Sequence, residues 1–151
     1  MALTGDTGNG TTLTFSANMG FGASSATMDC INITQGQHTV GVVDVSTLAT
    51  TDAMESIPSD LRELGECTAT FRFMTTTVAT AAVDAALPGV AGSIVLTYPS
   101  RVGDTTSAAN ITGSGFVTGY TPPAMANGEL QVGEVTWKYD GETGPTFTGS
   151  A

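Results

Sequence analysis

Apolar residues stand at every second position through much of the chain, the signature of strands with one buried face. TLTFSAN (residues 12–18) places Leu13, Phe15 and Ala17 on one side. MDCINITQ (28–35) sets Ile31 and Ile33 opposite Cys30, and VGVVDVS (40–46) is a short β-branched run. ECTATFRFM turns Cys67, Ala69, Phe71 and Phe73 inward and Thr68, Thr70 and Arg72 outward. GSIVLTYP aligns Ile94, Leu96 and Tyr98.

SAANITGSGFVTGY predicts a longer strand with Gly113, Gly115 and Gly119 in one phase, where missing side chains let another backbone approach. In ELQVGEVTWKY, Leu130 and Val132 are out of phase with Val135, Trp137 and Tyr139. A bulge at Gly133-Glu134 would restore a single apolar face. The pattern predicts one helix, in TTTVATAAVDAALPG, with Ala79, Val83 and Leu87 on one face and a stop at Pro88-Gly89.

These elements predict a mainly β fold: a β-sandwich or partly closed barrel of about seven strands, with one short flanking helix and a long inter-strand loop. Residues 11–140 form the domain. Residues 1–10 read as a flexible arm and 141–151 as a flexible acidic tail. The loop is TLATTDAMESIPSDLRELGE (47–66), far longer than the roughly 2–6 residues of an ordinary connection. It carries Leu48, Met54, Ile57, Leu61 and Leu64 along its length. Two uses fit such a segment: folding back over its own core as an Ω-type loop, or burying its apolar residues against another molecule.

Charge narrows the partners. Only 12% of the 151 residues are charged, yet 14 are acidic and 4 basic, for a net charge of −10. Such a surface repels nucleic-acid phosphates and anionic membrane alike. The opening MALTGDTGNG has neither a basic stretch nor an apolar core, so no secretory signal is expected. Cytoplasmic folding follows as the expectation, with Cys30 and Cys67 as reduced thiols and no membrane partner.

Catalytic constellations are hard to find. The single histidine, His38, precedes a strand in QGQHTV, and neither cysteine lies beside basic residues or a helix N-terminus. G-x-S-x-G, HExxH and P-loop patterns are absent. Asp140, Glu142 and Asp104 do not form a calcium-loop pattern, and solvated acidic loops explain them better. No enzyme activity, cofactor or metal is expected.

DVSTLATTDAMESIPSDLRELGECTATFRF resembles the central signature of tail tube proteins of long-tailed, non-contractile bacteriophages and related gene transfer agents. The matching residues are Val43, Asp44, Val45, Ser46, Thr47, Glu55, Ile57, Pro58, Leu61, Gly65 and Glu66, with Glu63 standing where the pattern has aspartate. Pro99, ITGSGFVTGYTPP and a closing strand extend the likeness over most of residues 10–140. The resemblance implies hexameric rings stacked into a tube around a tape-measure protein, with tail terminator and distal tail proteins at the ends. DNA would pass through the lumen without specific binding, in a virion tail assembled in the host cytoplasm.

On that reading Leu48, Thr51, Met54, Ile57, Pro58 and Leu61 supply the contact between subunits or rings. Arg72 and Lys138 disqualify their own strand faces from lining the lumen. The cation-free faces of Thr12, Thr14, Ser16 and Asn18, and of Asn110, Thr112 and Ser114, suit it, with acid from Asp6, Asp104, Asp140 or Glu142. Two other classes share parts of this pattern. A capsid decoration protein would assemble in closed sets at the capsid surface. A carbohydrate-binding adhesin module would need an aromatic patch from Tyr98, Tyr120, Trp137 and Tyr139.

Overall fold

The computed structural model describes residues 11–16, 19, 26–73, 89–99 and 108–149. Within them are nine strands: β1 (Thr12–Phe15), β2 (Ala26–Thr34), β3 (His38–Asp44), β4 (Ser56–Leu64), β5 (Glu66–Arg72), β6 (Gly92–Thr97), β7 (Asn110–Thr121), β8 (Val132–Tyr139) and β9 (Thr146–Thr148). The expected helix falls within residues 74–88, outside the described residues.

Six strands close on themselves in the order β6-β1-β2-β5-β8-β7, with β7 returning to pair with β6, and β9 adds a short strand beside β7. Closure removes the free edges that make an open sheet prone to association. The pairings are antiparallel throughout.

Inside the barrel, the alternating residues of β1, β5, β6 and β8 meet as their pattern predicts. Leu13, Phe15, Ala69, Phe71, Ile94, Leu96, Val135 and Trp137 are buried there. Phe15 meets the Trp137 ring edge-on with centroids 6.1 Å apart, a favoured aromatic geometry. Large and small residues alternate across the interior. A Cβ on Gly133 would sit 2.7 Å from the tip of the Phe71 ring, and one on Gly113 would sit 2.7 Å from the ring of Tyr139. These glycines make room for rings.

Three phase readings change. No register shift interrupts β5–β8, so the expected bulge at Gly133-Glu134 is absent. Instead β8 starts at Val132, Gly133 itself takes an inward position, and Leu130 lies before the strand and exposed. In β2 the register shifts between Cys30 and Asn32. That bulge turns Ile31 out to solvent, while Cys30 and Ile33 both pack on the core. In β7 a second shift, between Val117 and Gly119, brings Tyr120 inward to stack on Phe71. Each bulge resets an alternation that local pattern alone would continue.

The long loop is corrected most. Its second half is β4, which pairs with β3 as a separate two-stranded sheet. The run at 40–46, expected in the main sheet, is therefore largely the other half of a projecting ribbon. Residues 146–148 of the supposed tail also form a strand, β9, paired with Asn110–Thr112.

Candidate assembly surfaces

The ribbon is the first surface. Every described side chain of β3 is exposed. Val43 lies opposite Ile57 and Val42 opposite Pro58, so successive apolar pairs fall on opposite faces. Val42 is 72% exposed, Met54 74% and Leu61 81%, and Leu48 at the tip is fully exposed. Three residues of β4 (59–61) bulge against the single Gly41, and Pro58 sits within β4, where an edge strand tolerates a missing N–H.

Local hydrogen bonds organise the tip. Ser46 N–H donates to Asp44 Oδ1 at 2.8 Å, and Glu55 N–H donates to Ser46 Oγ at 2.7 Å. Val45 N–H donates to Glu55 O at 2.9 Å, and Thr50 N–H to Thr47 O at 2.9 Å. The bonds from the Ser46 backbone and hydroxyl hold the Asp44 carboxyl below its ordinary pKa. Leu48 and Met54 thus stand on a tied turn. The predicted contact residues Leu48, Thr51, Met54, Ile57, Pro58 and Leu61 all lie exposed on this ribbon. Val40, Val42 and Val43 join them, missed because their β-branched run looks like a core strand.

The second surface is the outer face of β2, β1, β6, β7 and β9. Cross-strand partners share a face. One row therefore runs Asp29, Thr12, Thr97, Asn110, Thr148, and the next runs Thr27, Thr14, Val95, Thr112, Thr146. Ser93 and Ser114 begin a third row, where Ser16 N–H donates to Ser93 O. The hydroxyls of Thr14 and Thr27 are 3.1 Å apart. The structure thus gathers Thr12, Thr14, Asn110 and Thr112 onto one hydroxyl-lined face that carries no cation among the described residues. Thr27, Thr97, Thr146 and Thr148 complete it; the alternation of Thr146 and Thr148 in PTFT was the available signal. Asp140 and Glu142 lie on the turn after β8, where Asp140 Oδ1 accepts from Glu142 N–H and Oδ2 bonds the Ser114 hydroxyl. Asp6, Asn18 and Asp104 lie outside the described residues.

The opposite wall of the barrel carries charge of both signs. On β5–β8, Glu66 lies across from Lys138, Thr70 across from Glu134 and Arg72 across from Val132. Of the four basic residues, Arg72 and Lys138 are here, Arg62 is on the ribbon and Arg101 is outside the described residues.

The described residues offer little catalytic material. They contain no group of three or more His, Cys, Asp or Glu side chains placed to hold a metal. Burial pushes the Cys30 thiol up to about 11 and raises Cys67 as well, so both are protonated at neutral pH, the reverse of an activated nucleophile. His38 is exposed at the start of β3. The aromatic patch expected of an adhesin does not form, because Trp137 and Tyr139 are core residues and Tyr120 packs on Phe71. No described helix is long and apolar enough to cross a membrane.

No family model matches the sequence, and no curated protein matches it. Solved structures do share the fold. A chain from the 6-fold symmetrised anti-feeding prophage baseplate matches with a TM-score of 0.74 and 10% identity, over 99% of this chain and 98% of that one. A chain from the anti-feeding prophage tube-terminating cap matches at TM-score 0.67 and 14% identity, over 100% and 95%. A chain from the sheath–tube complex of an extracellular contractile injection system matches at 0.65 and 12%, over 92% and 90%. The chain therefore has a fold found in the tail-like parts of contractile injection particles, kept at identities where only fold is comparable.

Proposed function

We propose that the protein is a structural subunit of a phage-type tail, assembling as hexameric rings that stack into a tube. The observation that carries this reading is the pairing of two surfaces on one small barrel. One is a ribbon with apolar residues on both faces; the other is a broad hydroxyl face with no cation among the described residues. The ribbon is the contact element between subunits or rings, through Leu48, Thr51, Met54, Ile57, Pro58 and Leu61. The threonine face lines the lumen, with Asp140 and Glu142, and with Asp6 and Asp104 from the remaining chain.

The charge suits transport. Six copies at −10 give a ring near −60. DNA meeting like charge and hydroxyls slides without sticking. The partners on this reading are further copies of the chain, a tape-measure protein, terminator and distal tail proteins, and passing DNA. Its place is a particle's tail, built in the bacterial cytoplasm. The loop signature argues for a non-contractile tail or gene transfer agent, whereas the solved structures of this fold come from contractile systems. A second reading follows from the cap and baseplate matches: a ring that ends a tube and does not repeat along it.

Negative-stain electron microscopy across protein and salt concentration tests both. Stacked six-fold rings support the tube subunit, and isolated rings at every concentration support the terminal ring. Particles that stay monomeric or trimeric would sink the tail reading in favour of a decoration protein. Because acidic subunits repel one another, added salt is expected to promote stacking. Stacks that dissolve as salt rises would overturn the electrostatic account.

A further inference from the structure

The ribbon is an extension of a strand pair that begins inside the barrel. β2 pairs with β5 as far as Thr34 opposite Thr68, and β3 resumes with β4 at His38 opposite Leu64. Between them Gly36 and Gly65 stand back to back. A Cβ on Gly36 would overlap the Gly65 carbonyl carbon and lie 2.5 Å from its oxygen and 2.6 Å from that of Glu66. A Cβ on Gly65 would lie 2.7 Å from both the nitrogen and the oxygen of Gln37. All of these neighbours are backbone atoms, so no side chain can swing away to make room.

The hydrogen-bond ladder changes character at the same place. Gly36 N–H donates to the Cys67 thiol sulfur at 3.3 Å, while Gly65 N–H donates to Gln37 O at 3.0 Å. Burial changes here too: Leu64 and Cys67 are buried, and beyond them toward the tip the described ribbon is largely exposed.

We propose that Gly36 and Gly65 are positioning residues for assembly. Their back-to-back contact fixes the angle at which the ribbon leaves the barrel, and so where its tip meets a second copy of this chain. The assembly role rests on the ribbon being the contact element proposed above. Relieving a clash of this depth requires the two backbones to part by about 1 Å. Across a strand spacing of about 4.8 Å, and with seven residues at about 3.3 Å each, that opening swings the far end by roughly 5 Å. Packed interfaces match protein interiors in density, so a misplacement of that size prevents docking.

The test uses the full chain with Gly36→Ala and Gly65→Ala. Gly119→Ala serves as control, since its Cβ would sit at an ordinary 3.7 Å from Thr136. Spin labels on a keto-bearing amino acid introduced at Asp52, which is outside the contact set, and at Glu134, both exposed, report the distance from tip to barrel while sparing the native thiols. The wild type and Gly119→Ala should give one narrow distance and form rings. The two joint variants should shift or broaden that distance by roughly 5 Å and lose rings, with Trp137 fluorescence still reporting a folded barrel. An unchanged distance, or rings of normal yield with a shifted distance, would overturn the proposal. Should the alanine variants fail to fold, Cys67→Ala removes the acceptor for Gly36 N–H without adding bulk at the joint. It should broaden the same distance, and no broadening would count as refutation. A wild type that forms no rings defeats the tube reading and the assembly role together, whereas the distance alone decides whether the joint sets the angle.

Discussion

The barrel and the ribbon are continuous: β2 runs on toward β3, and β4 leads back into β5, and both strand pairs carry apolar residues along their length. Within the barrel each strand has a second layer to face, and its inward residues are buried among rings and aliphatic chains. Beyond Leu64, toward the tip, no second layer covers the pair among the described residues, and its apolar residues face solvent on both sides. Two strands alone are marginal in water. The contrast shows that apolar content by itself does not make a core. A strand pair needs something to pack against, and on the reading proposed above the ribbon finds it in another copy of the chain.

The contrast can be broken most forcefully inside the barrel. Phe71→Ala should remove about 3–5 kcal/mol of unfolding free energy, because a fully buried ring leaves a cavity that closes poorly. Denaturant titration followed by Trp137 fluorescence measures it; a loss under about 1 kcal/mol would mean that the barrel is loosely packed.

Next is Gly133→Ala, which drives a methyl into the same ring and should cost about 1–3 kcal/mol. Pairing it with Phe71→Leu should recover part of that loss in the same titration. Additive losses would show that the glycine is not making room for the ring.

A smaller effect is expected from alkali. Burial raises Cys30 from 9.0 to about 11 and raises Cys67 and Tyr139 in the same direction. The folded state therefore holds these protons more tightly than the unfolded chain. Their contribution is complete below about pH 9 and is lost as pH climbs through about 11. The thermal midpoint should fall over that range, and less so in Cys30→Ala. A midpoint independent of pH up to 11 would show that these groups are not buried as described.

The smallest stability change should come from the ribbon. Leu48→Ser with Met54→Ser should alter unfolding free energy by no more than about 0.5 kcal/mol, since both side chains are already in water. Ring formation in the microscope should nevertheless disappear. A large loss of stability without loss of rings would place these residues in the fold's own packing.

Part of this architecture is legible locally. The phases of β1, β5 and β6, and of β8 from Val135 onward, follow from alternation because the extra residues of the bulges lie on their partners β2 and β7 and not on these strands themselves. The exposed apolar series at Leu48, Met54, Ile57 and Leu61 is likewise visible as residues with no periodic core to join. The threonine face was legible only in pieces. Thr12, Thr14, Asn110 and Thr112 are nearly a hundred residues apart, and only the β1–β6–β7 register makes them neighbours.

The sequence by itself determined the β-rich class, the acidic charge, the inward residues of the uninterrupted strands and the apolar character of the long segment between β3 and β5. These depend on side-chain type and on a repeat of two residues, both local properties. Tertiary structure decided the bulges in β2 and β7, the pairing of β9, the folding of the long segment into a ribbon and the glycine joint that aims it. Each of those depends on which backbone lies across the gap, and a bulge or a back-to-back contact exists only once the partner strand is in place.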